Sequence, residues 1–210
     1  MYLVVATLMG CGPSLGAQQL LDRVAARVNG FAITLSDVTA AVALGLVEVP
    51  EGAAEQTAVE RLVDRQLVLA EVARFAPPEP SPAAVAREVA AISERTGGRL
   101  AAVMESTGLD DARLREMARD NLRIAAYLDQ RFGSAVQLAE EEVLQYYRMH
   151  PEEFTRGGRL MPFVDADDLA RERAGAERRA ATIAQWMRDL RGRADIVIPR
   201  TPPPGAPRAY

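Results

Sequence analysis

Few residues in this chain can do covalent or metal chemistry. One histidine, His150, and one cysteine, Cys11, stand among 210 residues. His150 could serve as a general acid or base, but it has no second histidine or nucleophile to work with. It closes a helix ahead of Pro151, where an imidazole suits the field of the last carbonyls. Cys11 lies in an apolar N-terminal run, and a lone cysteine builds neither a disulfide nor a metal framework within the chain. A zinc site would need three or four carboxylates, a shell this metal rarely adopts. No catalytic residue, metal or cofactor is therefore expected. The 29 Asp and Glu residues could supply a carboxylate pair of the glycosidase kind. Most fall at helix starts or beside arginines, however, and aromatic platforms for a sugar are scarce at 5% aromatic content.

Binding chemistry has better material. Met104 and Met117 flank the Gly108 turn, with Val85, Val89, Ile92 and Val103 on neighbouring helical faces. Thioether chains adapt to irregular apolar partners, so these six residues are the candidate polypeptide-binding surface, with ordinary core filling as the alternative. Trp186 and Tyr146-Tyr147 fall at helical spacing among other apolar residues and read as packing. The net charge is -4, and all 25 basic residues are arginines interspersed with carboxylates. No basic stripe exists, so no nucleic-acid partner is expected.

The elements that would position these residues begin with Arg23–Asp37. Val24, Ala26 and Val28 alternate before Asn29-Gly30, and Phe31, Ile33 and Leu35 after it. Asn-Gly is the strongest short signal for a type I′ hairpin. Thr34 or Ser36 then offers an N-cap. A short helix follows over Asp37–Leu46, and a long one over Ala53–Phe75 with Val59, Leu62, Val63, Gln66, Leu67, Ala70 and Ala73 on its buried side and Glu60, Arg61, Asp64 and Arg65 on the other. The proline run from Pro77 ends it. Ser81 with Pro82 starts a helix to about Arg95, Leu100–Ser106 is a short helix, and Asp110 caps a long one to Phe132. That helix has the apolar line Leu114, Met117, Asn121, Ala125, Leu128 and Phe132. Glu140, Glu141 and Glu142 open the next helix, which ends at His150-Pro151. Arg156–Pro162 reads as an irregular connector before a last helix, about Asp167–Arg191, and a strand at Asp195–Ile198. A hairpin alone is marginal in water, and this late strand is its best partner. The fold class expected is mainly α with a small antiparallel β-sheet, an N-terminal hairpin pairing with a C-terminal strand.

This order of elements resembles the N-terminal helical chaperone module of the SurA-like periplasmic folding factors. Val24-Ala25-Ala26-Arg27-Val28-Asn29-Gly30 with Ile33-Thr34-Leu35-Ser36-Asp37-Val38 is similar to the family's hairpin and first cap. Leu62-Val63-Asp64-Arg65-Gln66-Leu67 resembles its long-helix signature. Gly108-Leu109-Asp110, Leu114-Arg115, Leu122-Arg123-Ile124 and Tyr127-Leu128 are similar to its fifth-helix region. Glu141-Glu142-Val143, Tyr146-Tyr147 and His150-Pro151-Glu152-Glu153-Phe154 resemble the lead into a parvulin prolyl-isomerase domain. Only a short connector follows Phe154 here, without the length or the histidines a parvulin needs.

The resemblance implies an exported, ATP-independent holdase for unfolded or nascent envelope proteins, without isomerase activity. An envelope scaffold protein or lipoprotein with one defined partner is the alternative, and a prolyl isomerase the second. Residues 1–19 read as a leader. Cleavage near Ala17, lipidation of Cys11 and a structural N-terminal segment all remain open. Membrane contact is expected only through that leader or a lipid on Cys11, and the location is the periplasm. Residues 20–154 form the chaperone module, 155–198 complete the same domain, and 199–210 are an extended proline-rich tail. The oligomeric state is not legible.

Overall fold

The computed structural model describes residues 22–50, 52, 55–133 and 138–199. The expected leader, Cys11 and the tail from residue 200 onward lie outside them.

Asn29 and Gly30 take φ of 48° and 85°, the left-handed pair that a type I′ turn requires. They join β1 (Val24–Val28) to β2 (Phe31–Thr34). Val28 pairs with Phe31, Arg27 with Ala32 and Ala26 with Ile33, with an irregularity between Val24 and Ala26. Of the two expected caps the structure selects Thr34. Its Oγ1 accepts from the Asp37 N–H at 3.2 Å, and the Asp37 carboxylate accepts from the Thr34 N–H at 2.9 Å. This reciprocal box starts α1 (Leu35–Ala43).

Helix α2 (Glu55–Phe75) buries Ala58, Val59, Leu62, Val63, Leu67, Val68 and Val72. The buried stripe is rotated from the expected one: Ala70 and Ala73 are exposed, while Val68 and Val72 are inside. Asp64 and Arg65, expected on the solvent side, are half-buried. The cause is that α2 is covered by more than one neighbour, touching β1, α1, α5 and α7.

Ser81 accepts from the Ala84 N–H at 3.2 Å and opens α3 (Pro82–Arg95). Helix α4 (Leu100–Thr107) ends in left-handed Gly108. Asp110 accepts from the Arg113 N–H at 2.7 Å at the head of α5 (Asp111–Phe132). On α5 the expected Ala125 is exposed, and Tyr127 is buried instead. Its first half packs on α3, while Tyr127 and Phe132 in its second half join the core shared with α2.

Helix α6 (Glu140–Met149) ends at His150, and one 3-10 turn follows at Pro151–Phe154. The expected irregular connector is in fact a miniature hairpin, β3 (Thr155–Arg156) with β4 (Arg159–Leu160). Gly157 and Gly158, at φ 58° and 77°, make its turn. Helix α7 runs over Phe163–Arg193, four residues ahead of its expected start. Its first half buries Ala166, Ala170 and Ala174, small residues one turn apart that let α6 lie close. Arg191 bonds Asp64 of α2 at 2.5 Å.

β5 (Ile196–Val197) then pairs with the free side of β1, Arg27 with Val197 and Val28 with Ile196. The sheet order is β2-β1-β5. The Asn29 N–H donates to the Asp195 carbonyl at 2.8 Å, and the Asp195 N–H to Asn29 Oδ1 at 2.9 Å. The chain is thus mainly helical, with seven helices and a small antiparallel sheet among the described residues, and the late strand fastens the opening hairpin.

Among the described residues, three apolar clusters hold these elements. The largest joins the hairpin, α1, α2 and the later halves of α5 and α7. A second lies between α3 and α5 around Leu44, Ile92 and Leu114, and a third under α6 and the start of α7 around Val143 and Phe154. Each fully buried Val, Leu or Phe contributes about 1.5–3 kcal/mol by leaving water.

Candidate functional site

The six residues expected to bind polypeptide meet around the second cluster. Val85 and Ile92 are buried within it, and Val89, Val103, Met104 and Met117 pack against it half-covered. Much of their apolar surface is therefore spent on holding α3, α4 and α5 together. Met117 also lines a cavity.

That cavity, of about 270 Å³, lies between β2, α1, α2 and α5. Phe31, Ile33, Leu46, Leu62, Leu69 and Met117 give it apolar walls. Asp37, Arg65, Asp120 and Arg123 are its half-buried charges. The Arg65 guanidinium donates to the Met117 carbonyl at 3.4 Å. Burial lowers its pKa from the ordinary arginine value, and Asp120 opposes that effect. Burial likewise raises the Asp120 carboxyl above its usual range, while Arg65 draws it back. At the rim, Arg113 and Glu116 pair at 2.7 Å. An apolar recess with a few polar groups is the ordinary form of a binding site.

A larger cleft, of about 800 Å³, runs between the end of α5, α6 and the second half of α7. Its floor is formed by buried Phe132, Ala174 and Trp186. The Phe132 and Trp186 rings lie 5.3 Å apart, with Tyr127 behind them 5.9 Å from Trp186. The Arg131 guanidinium stands 5.5 Å from both the Phe132 and the Trp186 ring. Met149, 67% exposed, and Tyr146 form one wall. The rim carries three carboxylates, Glu142, Glu177 and Asp189, against the arginines Arg131 and Arg178, and Arg178 pairs with Glu142 across α6 and α7. Trp186 and Tyr146 read as packing in the sequence, and the cleft was not legible there, because it depends on how α6 settles against α5 and α7.

His150 sits at one edge of this cleft, stacked on Tyr146 at 4.3 Å. Its Nδ1 lies 3.6 Å from Glu152 and 3.9 Å from Glu153, and its Nε2 3.8 Å from Glu177. The Tyr146 hydroxyl donates to Glu153 at 3.0 Å. Its pKa is pushed up to about 12, first by burial and then by that bond. His150, Glu152 and Glu153 are grouped closely enough to share a cation. The same residues also serve as a polar clasp at the end of α6, with Arg173 4.0 Å from Glu153.

No helix among the described residues is long and apolar enough to cross a membrane. No protein-family model matches the chain, and no curated protein is significantly similar to it.

Proposed function

We propose that the protein is an exported, ATP-independent chaperone of the SurA-like type, which holds unfolded envelope polypeptides in apolar concavities and releases them unchanged. The observation that carries this reading is the cleft floored by Phe132 and Trp186, whose rim mixes three carboxylates with two arginines. An unfolded segment offers apolar side chains to such a floor, and its main-chain N–H and C=O groups can meet carboxylates and arginines of the rim. The hairpin closed by β5 agrees with the order of elements on which the resemblance rests. Binding by burial needs no bond to be made or broken, so the reading assigns no catalytic residue, and prolyl isomerisation should stay at the uncatalysed rate.

Light scattering tests the proposal. An outer-membrane β-barrel protein diluted from urea should aggregate less when this chain is present in molar excess, without nucleotide. Unchanged scattering, together with capture of one stoichiometric folded partner, would instead favour a scaffold.

A further inference from the structure

Among the described residues the three-stranded sheet has two outer edges, β2 and the two-residue β5, and β2 is the longer. β1 is paired on both sides, by β2 and by β5, while among the described residues β2 pairs only with β1. The two-residue turn makes Val28 and Phe31 the hydrogen-bonded pair, so by alternation Arg27 and Ala32 are the non-bonded pair. Arg27 turns its main chain toward Val197 on β5. Ala32 correspondingly turns its N–H and C=O away from β1, and it is exposed. The next outward N–H, that of Thr34, is already held by the Asp37 carboxylate.

Edge strands are ordinarily blunted with charge or proline, and Phe31-Ala32-Ile33-Thr34 carries neither. Phe31 is 48% exposed and shares a face with buried Ile33, and both line the cavity containing Met117.

We propose that the free edge of β2 captures an extended, apolar segment of an unfolded polypeptide as an added strand, seating one side chain beside Phe31 in the adjoining cavity. The inference rests on the chaperone reading and names a second place and mode of capture. A main-chain donor and acceptor on one residue, facing outward, match another main chain in extended form. The cavity beside them takes an apolar side chain, and Met117 adapts to its shape. Arg113 and Glu116 neutralise each other at the rim, which favours an uncharged segment. A second copy of the chain fits less well: its own β2 is four residues long and runs directly into α1, leaving little strand to add.

The test uses the full chain and a fluorescein-labelled peptide of alternating valine and threonine, with binding read by anisotropy. An otherwise identical peptide, N-methylated at alternate amides, cannot pair as a strand. It should bind about tenfold more weakly, the loss expected for two backbone hydrogen bonds. Ala32→Pro, which removes the outward N–H, should cause a similar loss, and should leave the chain indifferent to N-methylation. Phe31→Ser should weaken the unmethylated peptide several-fold. If Ala32→Pro fails to fold by circular dichroism, the two peptides against the parent chain carry the test.

Affinity indifferent to both N-methylation and Phe31→Ser would overturn the proposal, as would Phe31-dependent self-association in sedimentation, which would assign the edge to a second copy. Peptide binding that rises when residues 1–21 or 200–210 are removed would assign it to the chain's own ends and overturn it too. Aggregation suppression that survives Phe31→Ser while strand capture fails would sink this site and leave the chaperone reading standing. Loss of suppression in the parent chain would sink the chaperone reading itself.

Discussion

At the residue scale, the pair Arg65 and Asp120 shows burial outweighing attraction. A carboxyl raised by burial contributes stability that is present below its ordinary value of 3.8 and lost as pH rises through the folded value. Folding therefore disfavours the charged carboxylate of Asp120 relative to the unfolded chain, despite Arg65. Asp120→Asn, neutral at every pH, should raise the urea midpoint at neutral pH and converge with the parent in acid. A lower midpoint at neutral pH would mean that the attraction to Arg65 wins. The sequence placed Arg65 on a solvated face because an arginine beside Asp64 ordinarily lies there. What it could not supply was the position of α5, which covers Arg65 from a distant part of the chain. Trp186 was legible as packing, whereas its place in the floor of a cleft depended on where α6 comes to rest.

At the element scale, the caps were the most readable features, since a cap is a local bargain between one side chain and its own next turn. Asn29-Gly30, Ser81-Pro82 and Asp110 do what their types dictate. Thr34→Ala should destabilise the chain by about 1 kcal/mol, measured by urea denaturation. Helix α6 offers the reverse change. Glu142 accepts from the Ala139 N–H at 3.0 Å, but Ala139 has no side-chain oxygen to answer the free N–H groups. Ala139→Ser completes the box and should stabilise by about 1 kcal/mol. Glu142 has its pKa lowered, first by that backbone bond. Its contribution is therefore present above the ordinary value of 4.5 and lost as pH falls through the folded one. The hairpin at Gly157-Gly158 escaped the sequence because strands of two residues show no alternation. The Ala166, Ala170 and Ala174 stripe escaped because alanine contrasts weakly with its polar neighbours.

At the scale of the whole molecule, the closure of β1 by β5 joins the ends of the described chain. It was legible because a lone hairpin needs a partner and only one late apolar run was available. The division of the core into three clusters was not, since it depends on the angles at which helices cross. A chain ending at Ala194 leaves the Asn29 N–H and the outer edge of β1 unpaired. It also uncovers the part of the core against which Ile196 and Ile198 pack. The expected cost is about 2–4 kcal/mol, or roughly 5–10 °C in thermal midpoint, read by circular dichroism. An unchanged midpoint would show that the helices hold themselves.

The chaperone reading requires that unfolded polypeptide enter the cleft, and Trp186, the chain's single tryptophan, lies in its floor. Titration with a permanently unfolded, tryptophan-free polypeptide, followed by tryptophan emission, is thus the most direct measurement. The account predicts a saturable change in emission that the same polypeptide in its folded form does not produce. Emission that stays constant throughout the titration, with no co-migration of the two chains, would contradict it.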